Sequence, residues 1–269
     1  TDGARTWKLN NSGLNGTAIR HIAITNQSPV VVYVGTSFPG EGFLTKLNAD
    51  GKTLAYSSYL GGDLQDNVTG IKLDSTGNVY VVGTTQSANF PANSAFQATL
   101  KGQYDVFVTK VKSDGSAILW STFLGGDEVD AAWDVTLNSA EMVLVTGVTR
   151  SLNFPTLKPI QPALKQNANF YDGFITGLKA DGSGLVFSTY FGGNNDESPR
   201  SIAVDAADNI YIGGFTYSSD LPTLGAVLTT KPENIIFPRS DGFVTKFSPD
   251  GLTLRYSTYL GGTDSEFLL

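Results

Sequence analysis

Short runs of β-branched and apolar residues, separated by Gly, Asp and Asn, dominate the pattern along the chain. The run at 79–85 reads VYVVGTT, and its counterparts read VLVTGVT at 143–149 and IYIGGFT at 210–216. Such nearly continuous apolar runs are typical of strands that are buried on both faces of a sheet. No segment shows the apolar spacing of an amphipathic helix. The pattern therefore predicts an all-β protein.

Two sequence markers recur with the same period. Gly-Gly pairs stand at 61–62, 125–126, 192–193 and 261–262, within the words YSSYLGG, WSTFLGG, FSTYFGG and YSTYLGG. Asp-Gly pairs stand at 50–51, 114–115, 181–182 and 250–251. In both series the steps are 64, 67 and 69 residues. Because two independent markers recur with the same three steps, the chain contains four repeats.

Each repeat divides into four strands, A to D, which are clearest in the second repeat. We predict strand A near Gly70–Leu73, strand B at Val79–Thr85, strand C at Val106–Val111 and strand D at Ala117–Leu124. The Asp-Gly between C and D predicts a tight hairpin, since Gly accepts a positive φ. Four antiparallel strands per repeat predict a β-propeller. A β-solenoid is the alternative, although its repeats are usually shorter.

These repeated words resemble SBBP repeats, the bacterial β-propeller repeats. The resemblance rests on YSTYLGG, the IAVD and NIYIGG pair, the S-x-N-F-P segment and DGFVTKF followed by DG. It covers about Asp63–Leu269 and the first repeat in part. It implies a β-propeller in a bacterial surface or secreted protein, without an activity common to the family. The family name implies seven blades, whereas this chain has four repeats.

We interpret the chain as a single propeller region, 1–269. Blades are predicted at about 10–62, 63–126, 127–193 and 194–262, with 1–9 as the outer strand of a neighbouring blade and 263–269 as the start of a further blade. A ring closed by these two ends would lack strands B and C of one blade. We therefore expect part of a larger ring or of a longer chain, or missing blades supplied by another copy.

All length variation between repeats falls in the loop between strands B and C. From the strand-B glycine to the acid that opens strand C there are 22, 25 and 27 residues in the last three repeats. In an up-and-down blade the B–C and D–A loops emerge on the same face. Long, variable loops on a rigid scaffold often carry binding. This face is the candidate functional face, and neutral variation of surface loops is the alternative.

An acidic residue opens strand C in every repeat. A carboxylate at this position can accept backbone N–H bonds and pin the B–C loop to the blade. A metal role is the alternative, but the sequence lacks a clustered set of oxygen ligands. The predicted structural repeat residues are these acids and the second glycines of the Gly-Gly pairs: Glu41, Asp105, Asp172, Asp241, Gly62, Gly126, Gly193 and Gly262.

A second acidic residue follows each Gly-Gly pair by four positions, in the predicted D–A loop near the entrance of the central channel. A ring of such acids can bind a cation such as calcium or a polar ligand. Loop hydrogen bonding, or pairing with a neighbouring blade, is the simpler interpretation. The residues are Asp66, Asp130, Glu197 and Glu266.

One position of strand A differs in chemistry although its surroundings are regular. It is occupied by Arg20, Thr69, Trp133 and Arg200 and should face the channel mouth. Arg and Trp often anchor recognition, through forked hydrogen bonds and stacking. Neutralisation of nearby acids by the two arginines is the alternative. The ligand-binding candidates are Arg20, Trp133, Arg200, Asp66, Asp130 and Glu197.

Composition narrows the function classes. The net charge of −7 and pI near 4.7 argue against a nucleic-acid-binding surface. The absence of cysteine excludes disulfides, thiolate zinc sites and cysteine nucleophiles. Because His21 is the single histidine, a metal site with several histidine ligands is also excluded. No apolar run is long enough for a membrane helix. No G-x-S-x-G nucleophile motif or dinucleotide fingerprint occurs, so no catalytic residue, cofactor or metal ligand is predicted.

The few charges, the many Ser, Thr and Gly residues and the acidic balance favour an exported bacterial protein. We predict a non-catalytic scaffold or binding module, extracellular or at the cell surface, whose partners are proteins or copies of itself. A glycan-binding, lectin-like adhesin is the alternative. A propeller glycoside hydrolase or lyase is a further one, since that chemistry needs only two carboxylates at a set separation.

Overall fold

A computed structural model describes residues 21–24, 32–35, 42–48, 52–165, 169–231 and 240–262. These residues form sixteen strands and no helix, and hence no helix that could cross a membrane. The strands build four antiparallel sheets of four strands each. The predicted all-β propeller architecture is confirmed.

The four sheets, which we call blades 1 to 4, follow each other along the chain. Blade 1 contains β1 (His21–Ile24), β2 (Val32–Gly35), β3 (Gly42–Leu47) and β4 (Leu54–Leu60). Blade 2 contains β5 (Asp66–Leu73), β6 (Val79–Thr85), β7 (Asp105–Val111) and β8 (Ile118–Leu124). Blade 3 contains β9 (Asp130–Leu137), β10 (Val143–Thr149), β11 (Asp172–Leu178) and β12 (Leu185–Phe191). Blade 4 contains β13 (Glu197–Val204), β14 (Ile210–Thr216), β15 (Asp241–Phe247) and β16 (Leu254–Leu260).

Within each blade the strands pair in sequence order, A-B-C-D, as an up-and-down meander. Strand B of blade 2 has the predicted bounds, Val79–Thr85. Strand A of that blade is longer than predicted, because it begins at Asp66 rather than near Gly70. The additional residues place the repeated acid inside the strand.

Hydrophobic cores lie between neighbouring blades. One cluster joins Tyr80, Val108 and Trp120 of blade 2 to residues such as Val145 and Phe174 of blade 3, and two similar clusters join blade 1 to blade 2 and blade 3 to blade 4. Both faces of an inner blade are therefore buried, which explains the nearly continuous apolar strands.

The innermost strands also contact each other: β1 lies against β5, β5 against β9 and β9 against β13. No comparable contact joins β13 to β1 among the described strands. The four sheets therefore do not close into a ring. This agrees with the expectation of part of a larger ring.

A recurring contact locks each blade to the next. The aromatic residue at the third position of strand D packs against the glycine of the following blade's C–D turn. In blade 2 this residue is Trp120, whose ring lies so close to Gly182 that a Cβ there would collide with it. Gly182 has a φ of +71°, so the turn also requires glycine for its backbone. Trp120 Nε1 donates to Ala180 O at 3.0 Å.

Candidate functional site

The variable position of strand A is a β-bulge in each of the last three blades. In blade 3, Ala132 pairs with Gly147 and Asp134 pairs with Thr146, which leaves Trp133 outside the register. The same irregularity omits Thr69 in blade 2 and Arg200 in blade 4. A bulge bends the strand and re-aims a side chain, and bulges are frequent beside functional sites.

The strand-B glycine that served as a sequence marker is a consequence of this bulge. A Cβ on Gly147 would collide with the carbonyl oxygen of Ala131 on the neighbouring strand. Gly83 and Gly214 meet the carbonyl oxygens of Asn67 and Ser198 in the same way. Only glycine allows strand A to approach this closely where it bulges.

Two of the predicted ligand contacts come together across the boundary between blades 3 and 4. The Arg200 guanidinium carbon lies 3.8 Å from the centroid of the Trp133 ring and 5.2 Å from that of Phe215. Trp133 Nε1 and Arg200 Nε are buried and have no hydrogen-bond partner. Burial lowers the pKa of the Arg200 guanidinium, which nevertheless remains charged. The pair therefore combines a π face, a cation and unused N–H donors.

The other residues at the bulged position of strand A do not form such a pair among the described residues. Thr69 donates its hydroxyl to Ala132 O of the next blade at 2.8 Å, so it is used in packing. Arg200 forms no ion pair within the part of the chain that the structure describes, which does not support the neutralisation of nearby acids. Arg20 lies outside the described residues, as do Glu41 and Glu266.

The acids that follow the Gly-Gly pairs are buried, contrary to their predicted place in the D–A loops near the channel entrance. Asp66, Asp130 and Glu197 are the first residues of β5, β9 and β13 and are at most 1% exposed. Asp130 Oδ2 accepts from the Gly126 amide at 2.7 Å and from Ser151 Oγ at 2.8 Å. These contacts are the loop hydrogen bonding that was the simpler interpretation.

The same junction is built in the other two blades. Asp66 Oδ2 accepts from the Gly62 amide and from Ser87 Oγ, at 2.7 and 2.9 Å. Glu197 uses its longer side chain to accept from the Gly193 amide at 2.9 Å and from Thr216 Oγ1 at 2.6 Å. Sequence reasoning missed the serine partners, which carried a signal: Asp66–Ser87 and Asp130–Ser151 are both separated by 21 residues.

The acids that open strand C pin the B–C loop, as their predicted structural role requires. Asp105 Oδ2 accepts from the Lys101 amide and from Gln97 Nε2, both at 2.9 Å, and Oδ1 accepts from the Gly102 amide at 3.0 Å. Asp172 likewise accepts from the Lys165 amide and Gln161 Nε2. The two glutamines were not predicted.

The two series of acids meet at the boundary between blades. A Cβ on Gly125 would lie 2.7 Å from Asp105 Oδ1 and 2.8 Å from Asp130 Oδ2, so both carboxylates press on this linker glycine. Gly192 lies between Asp172 and Glu197 in the same way. Because both members of each pair are buried, neither pair faces solvent as the carboxylates of a glycoside hydrolase would.

Burial changes the proton affinity of these acids. It raises the pKa of Asp130 to about 7 and that of Glu197 to about 8, against the hydrogen bonds that lower both. The charge of Asp105 adds to the first shift and that of Asp172 to the second. Within the described residues, no three acidic or histidine side chains are arranged to hold a metal ion.

The B–C loops of blades 2 to 4, in the part that the structure describes, do not stay on the face where they were predicted. Each begins there and then runs along the outer edge of its own blade. Asn93 and Ser121 exchange backbone hydrogen bonds of 2.9 and 2.8 Å, and Leu157 pairs with Ser188 and Leu224 with Ser257 in the same manner. The loops therefore cover the free edge of strand D, which would otherwise be open to pairing with other chains.

These loops carry exposed apolar side chains at the rim of the propeller. Val227 is 78% and Leu152 66% exposed, and Ile160 and Leu224 are also exposed. A groove of about 510 Å³ lies between the B–C loop of blade 3 and blade 4. Its lining is mainly apolar and includes Ile160, Leu164, Pro222, Phe247 and Leu254.

Replacement of Asp105 by alanine is expected to release the B–C loop of blade 2, because three hydrogen bonds to this carboxylate disappear together. Bonds to a charged group contribute about 1.5–3 kcal/mol each when buried, and removal of the acceptor leaves buried donors without partners. Hydrogen exchange should become faster at the Lys101 and Gly102 amides than in the wild type. The Asp114→Ala variant, in an exposed turn, is the control. Unchanged exchange at both amides would contradict the pinning role.

Comparison with known proteins supports the repeat assignment. Residues 55–91 and 186–222 match the SBBP family, described as a beta-propeller repeat. Each segment runs from strand D through the next strands A and B, so it contains one complete junction: Asp66 with Ser87, or Glu197 with Thr216. Two segments of the chain thus match this repeat.

Two other comparisons add little. No curated protein matches the chain. A crystal structure of a protein of unknown function from Bacteroides caccae aligns with 91% of this chain and 82% of its own, at 10% identity and a TM-score of 0.34.

Proposed function

Since the chain forms propeller blades and two of its segments match the SBBP repeat, we propose that it is a non-catalytic module that binds protein partners through the B–C loops at its rim. The repeated junctions form a rigid frame, and the loops, which differ in length and sequence, supply specificity. We place the module outside a bacterial cell or on its surface, within a larger assembly. The small number of charged residues supports that location, and cell fractionation tests it.

One observation carries the proposal. Among the described residues, the B–C loops of blades 2 and 3 are held by the buried carboxylates and by backbone bonds to strand D, and that of blade 4 by backbone bonds to strand D, yet these loops expose apolar side chains beside the apolar groove. Rigid loops lose little conformational entropy on binding, which favours affinity. Exposed apolar patches on soluble proteins often mark interaction sites.

Site-specific photocrosslinking in the cells that produce the protein tests this function. A crosslinking residue at Val227 or Ile160 should yield the same discrete protein adduct, because both positions flank one rim. The control is Leu252, an exposed apolar residue in the C–D turn. Adducts of equal yield from all three positions, or none from the loops, would contradict the proposal.

The Trp133–Arg200 pair favours a second candidate function, the binding of acidic glycans at the inner edge. A sugar ring can stack on an indole, and a carboxylate can form charge-assisted hydrogen bonds with a guanidinium group. Since the neighbouring acids are buried in the junctions, they are not in position to repel such a ligand at the surface. The role of Asp66, Asp130 and Glu197 as ligand contacts remains a prediction.

An array of acidic and neutral oligosaccharides tests this candidate. We expect binding of uronic-acid-containing members over neutral ones, and a loss of about tenfold or more in the Arg200→Leu variant. Arg150→Leu is the matched control, because Arg150 also lies over an aromatic ring, that of Tyr171, at 5.4 Å. Equal binding by both variants would exclude the pair as the ligand site.

A further inference from the structure

Each blade presents one side to the blade before it and the other side to the blade after it. We call the second side its trailing face and the first its leading face. In blade 2 the trailing face contains Tyr80, Val108, Trp120 and Leu124, all of which are buried against blade 3. Blade 3 buries the equivalent residues against blade 4: Leu144, Ile175, Phe187 and Phe191.

The trailing face of blade 4 carries the same kind of residues without the same burial. The equivalents are Tyr211, Val244, Tyr256 and Leu260. Leu260 is 39% exposed, whereas Leu124 and Leu60 are at most 1% exposed. Tyr211, Val244 and Tyr256 are all partly exposed. Because this surface has the chemistry of an interior face, it is suited to receive another blade.

Tyr256 specifies what that blade must contain. Its counterparts Tyr56, Trp120 and Phe187 each pack on the positive-φ glycine of the next blade's Asp-Gly turn: Gly115, Gly182 and Gly251. The contact leaves no room for a Cβ. The expected occupant is therefore a blade with an Asp-Gly turn between its strands C and D.

The other end of the array has a complementary surface. On the leading faces of blades 2 to 4, the sixth residue of strand D is Phe123, Tyr190 or Tyr259, each at most 1% exposed. The equivalent in blade 1 is Tyr59, which is 56% exposed; part of this difference comes from the B–C loops of blades 3 and 4, which bond Tyr190 and Tyr259. Leu54, on the same strand, is also exposed. The sequence of blade 1 contains the required turn, Asp50-Gly51.

We propose that the trailing face of blade 4 binds the leading face of blade 1 in a second copy of this chain. The contact would continue the interface that already joins the blades within one copy. Such a head-to-tail contact is heterologous, so it closes when the rotation permits and otherwise propagates. Two copies of four blades supply eight blades, which lies within the range of four to eight known for closed propellers.

Sedimentation velocity over a range of protein concentrations tests the proposal. The wild type should dimerise, and Tyr256→Arg or Tyr59→Arg should each raise the dissociation constant by about 30-fold or more. Leu119→Arg, at an exposed position of an inner blade, is the control and should leave it unchanged. Circular dichroism should show wild-type folding in all three variants, because each residue replaced is exposed or partly exposed.

A mixture distinguishes this geometry from other dimers. Tyr256→Arg keeps an intact leading face and Tyr59→Arg an intact trailing face, so the two variants should associate with each other but not with themselves. Failure of the mixture to associate, or dimers that survive in both single variants, would overturn the proposal. A wild type that stays monomeric at all concentrations would also overturn it and would favour a blade from flanking sequence as the occupant.

Discussion

Replacement of Trp120 by alanine is expected to lower the free energy of unfolding by about 3–5 kcal/mol, the range for buried large-to-small changes of this kind. The side chain is 3% exposed and fills the boundary between blades 2 and 3. It packs edge-to-face on Tyr80, with ring centroids 6.0 Å apart. Alanine would leave a cavity, and the Ala180 carbonyl would lose its indole donor.

Urea unfolding followed by circular dichroism measures this change. Leu119→Ala is the matched control, because the neighbouring residue is exposed and its loss should change stability by no more than about 0.5 kcal/mol. A second comparison is Tyr256→Ala, at the equivalent and partly exposed position of blade 4, which should be much milder than Trp120→Ala at concentrations where the protein is monomeric. Similar losses for both would show that the aromatic residue acts within its own blade rather than between blades.

The second large effect is a loss of stability as the pH rises from about 5 to about 8. Burial raises the pKa of Asp172 to about 6, that of Asp130 to about 7 and that of Glu197 to about 8. Between the unfolded and folded pKa values the folded state holds more protons. Raising the pH removes those protons and destabilises the fold, by up to about 1.4 kcal/mol per pH unit for each group.

The contribution of these three acids to the free energy of unfolding is fully present below about pH 4, where they are protonated in both the folded and the unfolded state. Surface acids with a lowered pKa, such as the exposed Asp181 and the partly exposed Asp205, have the opposite sign and act only at the acidic end. Thermal unfolding across this range should show a falling melting temperature. Asp130→Asn and Glu197→Gln should each flatten the slope, and Asp181→Asn should not. A slope that is unchanged in the first two variants would assign the pH dependence to other groups.

The strands could be predicted from the sequence because their β-branched runs and Asp-Gly turns are local signals. The start of strand A could not, since Asp66 has the polarity of a loop residue. It is buried because its partners, Gly62 and Ser87, come from either side of it in the chain. Burial of a carboxylate depends on such distant donors, which a local pattern does not show.

Two features of the candidate site depend on backbone pairing and were therefore missed. The bulge at Trp133 is a matter of register, for which Gly147 was the only trace in the sequence. The predicted course of the B–C loop was wrong, because its contacts with Ser121 and Ser188 use main-chain atoms, which the side-chain pattern does not reveal. By contrast, the pinning of the loop by Asp105 and Asp172 followed from their residue type and position.

The bulge also bears on how such an array can diverge. A repeat protein grows by duplication of one unit, and each new copy inherits side chains that its neighbours require. The bulged residue is left outside the register of strand A, so a substitution there does not shift the hydrogen-bond ladder. This position holds Thr69, Trp133 or Arg200, three chemically different residues, although strand A pairs with strand B in the same way in all three blades. Each duplication therefore adds a position at the inner edge that is free to acquire new chemistry.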